Sequence, residues 1–130
     1  MKRLTGSEDA VRTRVLHVED GLEMHRAVRA IAGQRFDFEL VHTVSEAKAL
    51  IALERFDVVI LDLTLPSESG WDLLHEIRAK QPEARLVVLS DSELLPPQRR
   101  EVDVALRKSQ VLPRQLMRAI DVRDLETATE

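Results

Sequence analysis

The sequence has no cysteine, no apolar run long enough to span a membrane and no large excess of charge. Without cysteine the chain forms no disulfide, no thiolate metal site and no Cys nucleophile, which fits a reducing compartment. The first residues also lack the apolar core of a signal peptide, so we expect a cytoplasmic protein without membrane contact. The formal net charge of -4 is mild and does not indicate nucleic-acid binding by the domain as a whole.

The 130 residues have the length of one domain, enough to bury a hydrophobic core. Residues 1–13 are polar and without a period, so we predict a flexible N-terminal arm. Strand and helix patterns run through residues 14–123, which we predict to be the folded domain. Residues 124–130 are interpreted as a charged C-terminal tail or the start of a linker.

The most informative stretch is an unbroken apolar run that leads to Asp62. A short run rich in Val and Ile predicts a strand buried on both faces, in the middle of a parallel sheet. Asp62 follows at the carboxyl end, where ligands bind in open α/β sheets. A bare carboxylate there is costly unless it is solvated, paired or bound to a metal. An Asp that caps the next turn is the structural alternative.

Strand and helix patterns alternate along the rest of the chain. They predict strands over residues 14–18, 37–43, 57–61, 85–90 and 102–107. Helical spacing predicts helices over residues 22–32 and 46–54, a third up to residue 80, and a last one beginning near Pro113. Ser45 is the expected N-cap of the second helix, and Ser69 with Asp72 has the form of a capping box for the third.

Five strand–helix units with short connections predict an α/β fold. We expect a flavodoxin-like three-layer sandwich, with a five-stranded parallel sheet in the order 2-1-3-4-5 and helices on both faces. The switch point of this order lies between the first and third strands. Glu19 and Asp20 end the first strand and Asp62 ends the third, so the three carboxylates should meet at one crevice.

Three acids at one edge raise one another's pKa values, and a divalent cation would relieve their repulsion. Oxygen ligands alone suit Mg²⁺. Ser90 ends the fourth strand and Lys108 follows the fifth, which adds a hydroxyl and an ammonium group. Such a set suits phosphoryl transfer, because cations neutralise the phosphoryl oxygens while a carboxylate attacks phosphorus.

From residue 14 to residue 123 the chain resembles a response-regulator receiver domain of two-component signalling. The resemblance rests on motifs in family order: Glu19-Asp20, Asp62 to Pro66 with Gly70, Ser90, and Lys108. It implies that Asp62 is the phosphoacceptor and that Mg²⁺ is bound by Glu19, Asp20, Asp62 and the Thr64 backbone carbonyl. It also implies that Ser90 closes on a phosphoryl oxygen and that Lys108 pairs with the phosphate and Asp62.

The resemblance further implies a phosphohistidine donor on a sensor histidine kinase or a histidine phosphotransfer protein. Phosphorylation would shift a two-state equilibrium that a downstream protein or effector domain detects. Such a chain is a signalling domain and not an enzyme, beyond its own Mg²⁺-dependent phosphoryl transfer and dephosphorylation. The oligomeric state is left open, with a homodimer among the options.

Two residues beside the site depart from the family pattern. Asp91 stands where a small residue is usual after the switch hydroxyl, and we expect its side chain to point outward and cap a turn. Ser109 replaces the proline that usually follows the lysine. Because a cis bond before a non-proline residue costs about 2.5–4 kcal/mol, we expect a trans peptide bond between Lys108 and Ser109.

Two further departures from the family pattern lie on the face of the last two strands and helices, through which the family usually signals. Ala105 occupies the position of the family's switch aromatic, so no large ring can move inward there. The segment between the fourth and fifth strands is shorter than the family norm and contains Pro96 and Pro97. The fourth helix should therefore be stunted or displaced.

These departures leave a second hypothesis open, a receiver-like adaptor (a pseudo-receiver) that binds partners constitutively. We favour the phosphorylatable receiver because the acids, the hydroxyl and the lysine are all present. A flavin-binding protein is disfavoured, since Glu19 and Asp20 would repel the flavin phosphate. A phosphatase with paired Asp residues is disfavoured because Thr64 occupies the place of the second Asp.

Overall fold

The computed structural model describes residues 12–64 and 70–122, along which strands and helices alternate. The strands are β1 (Thr13–Val18), β2 (Phe36–Val41), β3 (Val58–Leu61), β4 (Arg85–Leu89) and β5 (Val104–Leu106). The helices are α1 (Leu22–Ala32), α2 (Val44–Leu53), α3 (Gly70–Lys80), α4 (Pro96–Arg99) and α5 (Pro113–Ile120). A short 3₁₀ turn, Gly33–Arg35, follows α1.

The five strands form one parallel sheet in the order β2-β1-β3-β4-β5, which confirms the predicted topology. In its register, Val18 lies opposite Val41 on one side and Leu61 on the other. The residues that follow β1 and β3 therefore leave the sheet side by side. The amide of Asp62 donates to the Val18 carbonyl at 3.2 Å, which holds the two strand ends together.

Hydrophobic side chains cover both faces of the sheet. Strand β3 is fully buried at all four positions, as its apolar run predicts. Helices α1 and α5 pack on one face through Val28, Ala32, Leu116, Ala119 and Ile120. Helices α2 and α3 pack on the other face through Val44, Ala47, Ile51, Leu73, Leu74 and Ile77. The sheet is thus the middle layer of three.

The prediction of Ser45 as the N-cap of α2 is wrong. Thr43 is the cap: its Oγ1 accepts a hydrogen bond from the Glu46 amide at 3.1 Å, and Glu46 Oε1 accepts one from the Thr43 amide at 3.2 Å. This capping box begins the helix at Val44, because the reciprocal bonds satisfy amides that the first turn leaves free. The other predicted cap, Ser69, lies outside the described residues.

The segment between β4 and β5 has the expected short helix. Helix α4 contains four residues and begins with Pro96 and Pro97 in its first turn. Strand β5 has three residues, fewer than the stretch 102–107 predicted from alternation. Within residues 12–64 and 70–122, no helix has the length and apolar character that a membrane span requires.

Gln81 is a buried polar residue that the sequence patterns do not identify. It follows α3, and its side-chain Nε2 donates to the carbonyls of Ile51 at 2.9 Å and Glu54 at 2.6 Å. Its Oε1 accepts from the Phe56 amide at 2.9 Å. One side chain thus satisfies three backbone groups in the connection that leads into β3.

We predict that Gln81→Ala lowers the free energy of unfolding by about 2–4 kcal/mol, because it leaves three buried backbone groups unpaired. Urea unfolding followed by circular dichroism measures this change. Gln110→Ala is the matched control at an exposed position and should cost no more than about 0.5 kcal/mol. Equal losses in the two variants would contradict the assigned role of Gln81.

Candidate functional site

Three carboxylates meet where β1 and β3 end, as the sequence predicts. One oxygen each from Glu19, Asp20 and Asp62 can be chosen so that all three lie within 4.8 Å of one another. Glu19 and Asp62 are only 2 % and 3 % exposed, whereas Asp20 is exposed. The group therefore has two enclosed acids and one that faces solvent.

Lys108 lies between the two buried acids. Its Nζ donates to Asp62 Oδ2 at 2.7 Å and to Glu19 Oε2 at 3.0 Å. Both contacts are short, charge-assisted hydrogen bonds. The ammonium group offsets part of the repulsion between the two carboxylates.

The pKa values of the two buried carboxyl groups move in opposite directions. Burial raises the pKa of Glu19, and its hydrogen bonds from Lys108 and the Gly21 amide only partly oppose that rise. Burial acts on Asp62 in the same sense, but hydrogen bonds from Lys108 and Thr64 outweigh it and lower its pKa. Asp62 is therefore fully ionised at neutral pH and can act as a nucleophile.

Thr64 holds the second oxygen of Asp62. Its amide donates to Asp62 Oδ1 at 3.0 Å and its hydroxyl donates to the same oxygen at 2.9 Å. With Lys108 on Oδ2, both carboxylate oxygens of Asp62 are fixed. The carboxylate plane is therefore set before any ligand arrives.

Glu19 carries the clearest sign that a cation belongs here. Its Oε2 accepts from Lys108 and from the Gly21 amide, but its buried Oε1 has no hydrogen-bond partner among the described residues. A buried carboxylate oxygen without a partner is costly. A hard divalent cation bound by oxygen ligands would satisfy it, and three acids suit Mg²⁺. The donor set therefore fits that metal.

Ser90 ends β4 at the same edge and is buried. Its Oγ accepts a hydrogen bond from the Ser92 amide at 3.2 Å and makes none to Asp62. The sheet edge thus brings four predicted side chains together, from Glu19, Asp20, Asp62 and Lys108, and the Thr64 side chain joins them through its bond to Asp62. The hydroxyl of Ser90 instead accepts a hydrogen bond within its own loop.

Asp91 and Ser109, which depart from the family pattern, contact each other. Asp91 Oδ1 accepts hydrogen bonds from the Ser109 amide at 3.1 Å and from the Ser109 hydroxyl at 2.9 Å. Asp91 is exposed, as expected for a side chain that points outward, but its Oδ1 accepts from Ser109 in the neighbouring loop and not from a turn of its own segment. The peptide bond between Lys108 and Ser109 is trans, as expected.

Two histidines, His17 and His42, lie near the acids, and a third, His25, contacts His17, in a way that sequence spacing did not indicate. His17 and His25 are buried with their Nδ1 atoms 2.9 Å apart, and His42 Nδ1 lies 3.1 Å from the Glu19 carbonyl. Burial and the neighbouring His25 and Lys108 lower the pKa of His17 to about 3. His17 is therefore neutral and adds no charge beneath the site. The only available signal was His17's place in a buried strand that ends at the acids.

Comparisons with known proteins agree with this geometry. The family model described as the response regulator receiver domain matches residues 15–107. The photosynthetic apparatus regulatory protein RegA of Rhodobacter capsulatus is 32% identical over 79 residues, which cover 61% of this chain and 43% of that protein. The chemotaxis protein CheY of Listeria monocytogenes is 32% identical over 83 residues, covering 59% of this chain and 66% of CheY.

Solved structures show the same fold. A CheY-like receiver domain protein from Methanospirillum hungatei superimposes with a TM-score of 0.77 at 23% identity, covering 91% of this chain and 98% of that one. The matches to the first curated relatives cover less than half of those proteins' length, 43% and 18%.

We predict that Lys108→Met lowers the free energy of unfolding near neutral pH by about 2–3 kcal/mol, somewhat less than for a fully enclosed pair. Without the ammonium group, burial and mutual repulsion raise the pKa of both carboxyls above their unfolded values. A raised acid pKa destabilises the fold above that pKa, so the loss should shrink as the pH falls through it. Urea unfolding at about pH 7 and about pH 5 measures this.

Lys80→Met is the control for this experiment, because Lys80 forms an exposed ion pair with Glu76 at 3.1 Å. Such a pair contributes at most about 0.5 kcal/mol. A loss in Lys108→Met that stays constant over this pH range would count against the proposed relief of carboxylate repulsion.

We also predict that the protein binds Mg²⁺ and that Asp20→Asn raises its dissociation constant by about tenfold or more. The amide keeps the shape of the side chain but removes one anionic ligand. Glu23→Gln makes the same charge change at an exposed position in the first turn of α1 and should have little effect. Isothermal titration calorimetry gives both constants, and equal weakening in the two variants would be inconsistent with Asp20 as a ligand.

Proposed function

Because the chain belongs to the response regulator receiver domain family, we propose that it is a phosphorylatable receiver whose phosphoacceptor is Asp62. The observation that carries this proposal is the buried carboxylate of Asp62, held on both oxygens by Lys108 and Thr64. Receiver domains are signalling domains that interact with histidine kinases and downstream effectors. The proposal narrows that general role to one residue and one reaction.

In the proposed reaction, a carboxylate oxygen of Asp62 attacks the phosphorus of a phosphohistidine. A new P–O bond forms while the P–N bond breaks, and its electron pair remains on the imidazole nitrogen. The low pKa of Asp62 keeps this nucleophile charged at neutral pH. Lys108 then pairs with the phosphoryl oxygens as negative charge builds up beside Glu19.

Receiver domains typically bind Mg²⁺ at acidic residues, and the acidic cluster of this chain has the matching donor set. We propose that Glu19, Asp20, Asp62 and the Thr64 backbone carbonyl hold the ion. When bound, Mg²⁺ supplies positive charge that stabilises the oxygens of a transferring phosphoryl group. It would also satisfy the unpartnered Oε1 of Glu19.

Ser90 is proposed to donate its hydroxyl to the phosphoryl group once it is in place. The hydroxyl accepts from the Ser92 amide within its own loop and makes no hydrogen bond to Asp62, so we propose that the loop moves toward the phosphoryl group. Such a movement would be the first part of the switch. Helix α4 follows this loop in the chain and has only four residues, and Ala105 on the neighbouring strand β5 offers no ring to follow the loop.

The wider biological role is also part of the proposal. The donor would be a sensor histidine kinase or a histidine phosphotransfer protein in the cytoplasm, and the output a downstream protein or effector domain. Residues 14–123 would form the receiver unit, between a 13-residue arm and a charged tail. No separate enzymatic activity is proposed.

A second function, that of a constitutive adaptor, is also supported by an observation. Ala105 and the short helix α4 remove much of the usual switching machinery, which would suit an adaptor that binds its partners constitutively. The two functions differ in one measurable property, because only the receiver takes up a phosphoryl group at Asp62.

We predict that incubation with Mg²⁺ and acetyl phosphate adds one phosphoryl group to the wild-type protein and none to Asp62→Asn. The amide of the variant cannot attack phosphorus but keeps the shape of the side chain. Intact mass spectrometry measures the uptake, and the fluorescence of Trp71, which packs against the core beside the site, reports the accompanying change.

Asp57→Asn serves as the control, since Asp57 lies exposed at the opposite end of β3 and should not affect uptake. If the wild type gains no phosphoryl group from acetyl phosphate, a phosphohistidine donor is tried next. Absence of phosphoryl uptake from both donors would contradict the receiver proposal and favour the adaptor.

A further inference from the structure

The contact between Asp91 and Ser109 joins the two loops that carry site residues. Asp91 directly follows Ser90, and Ser109 directly follows Lys108. Two hydrogen bonds from Ser109, one from its amide and one from its hydroxyl, converge on a single oxygen of Asp91. We call this contact the Asp91–Ser109 tie.

The backbone pairing of β4 and β5 ends just before the tie. The last paired residues are Leu89 and Leu106, followed by one bond from the Ser90 amide to the Leu106 carbonyl at 3.0 Å. Beyond that point, the tie is the hydrogen-bonded link between the two loops in the part of the chain that the structure describes. The Asp91–Ser109 tie therefore links the two loops beyond the point where the backbone pairing of β4 and β5 ends.

Lys108 depends on this region for its aim. Strand β5 is only three residues long and ends two residues before Lys108, which lies in a turn closed by the Gln110 amide donating to the Arg107 carbonyl at 3.1 Å. The strand attaches this turn to the sheet at one end only. The tie fixes the backbone amide of Ser109 on the other side. A long, flexible side chain with both flanking segments held loses less freedom when its ammonium group meets two carboxylates.

We propose that the Asp91–Ser109 tie is a positioning device that aims Lys108 at Asp62 and Glu19 and restrains the loop of Ser90. Asp91 and Ser109 act through Lys108 and touch no reacting atom. The proposal rests on the phosphoryl-transfer function argued above, and it adds two residues to the site. Asp91 is used here as a hydrogen-bond acceptor, and its charge is incidental.

The test compares Asp91→Ala with Asp91→Asn. Both variants remove the negative charge, but only Asp91→Ala removes the acceptor oxygen. The first readout is the ¹⁵N relaxation of the Lys108 ammonium group, which reports its mobility without any phosphorylation. The second is the rate of phosphoryl uptake from acetyl phosphate in the presence of Mg²⁺.

We expect Asp91→Ala to increase the mobility of the Lys108 ammonium group and to slow phosphoryl uptake by about threefold to tenfold, the effect of losing a modest hydrogen bond. Asp91→Asn should stay within about twofold of the wild type in uptake. Ser109→Ala keeps the amide donor and should fall between them. The double variant Asp91→Ala, Ser109→Ala should be no worse than Asp91→Ala alone, because both changes break one contact.

Equal effects of Asp91→Ala and Asp91→Asn would overturn the proposal, since charge would then account for the change. An Asp91→Ala variant with unaltered Lys108 mobility would overturn it as well. If the wild type takes up no phosphoryl group, the proposed function fails, and the relaxation of Lys108 alone decides whether the tie aims it. Circular dichroism confirms that each variant is folded before either readout is taken.

Discussion

The structure of the site depends on one ammonium group between two buried carboxylates. Lys108 contacts Asp62 at 2.7 Å and Glu19 at 3.0 Å, where both acids are almost fully buried. Unpaired carboxylates in that position would repel each other and take up protons. With the lysine present, the pKa of Asp62 falls while burial keeps that of Glu19 high. Asp62 is therefore ionised, as the proposed nucleophile must be, and Glu19 retains an oxygen suited to a cation.

This arrangement follows from the parallel sheet more than from any local motif. Each contributing residue lies at or just beyond the carboxyl end of a strand, and the order β2-β1-β3-β4-β5 puts β1 and β3 side by side. Strand β5 is two positions from β3, so only a long side chain can cross from it to Asp62. Lysine has the length and the charge for that task. The sheet thus sets the positions of the site residues, and the loops set the direction of each side chain.

Sequence reasoning succeeded where a pattern has a single structural meaning. The apolar run before Asp62 predicts a doubly buried strand, and alternating units predict the strand order, from which the meeting of Glu19, Asp20 and Asp62 follows. It failed where neighbouring residues offer the same cap chemistry, as at the start of α2, where Thr43 is the N-cap in place of the expected Ser45 and forms a capping box with Glu46. Contacts between distant side chains, such as Gln81 with three backbone groups, leave no periodic signal. The two departures at Asp91 and Ser109 were visible in the sequence, but their mutual contact required the structure.

The central claim is that a carboxylate oxygen of Asp62, charged and hydrogen-bonded to Lys108, forms the new bond to phosphorus. The most direct test is to treat the protein with Mg²⁺ and acetyl phosphate, reduce it with borohydride, and map the modified residue by peptide mass spectrometry. Borohydride reduces an aspartyl phosphate to homoserine, so the account predicts homoserine at position 62 and at no other acidic residue. Homoserine at Asp20 or Asp91, or an unmodified Asp62 in protein that has gained a phosphoryl group, would contradict it.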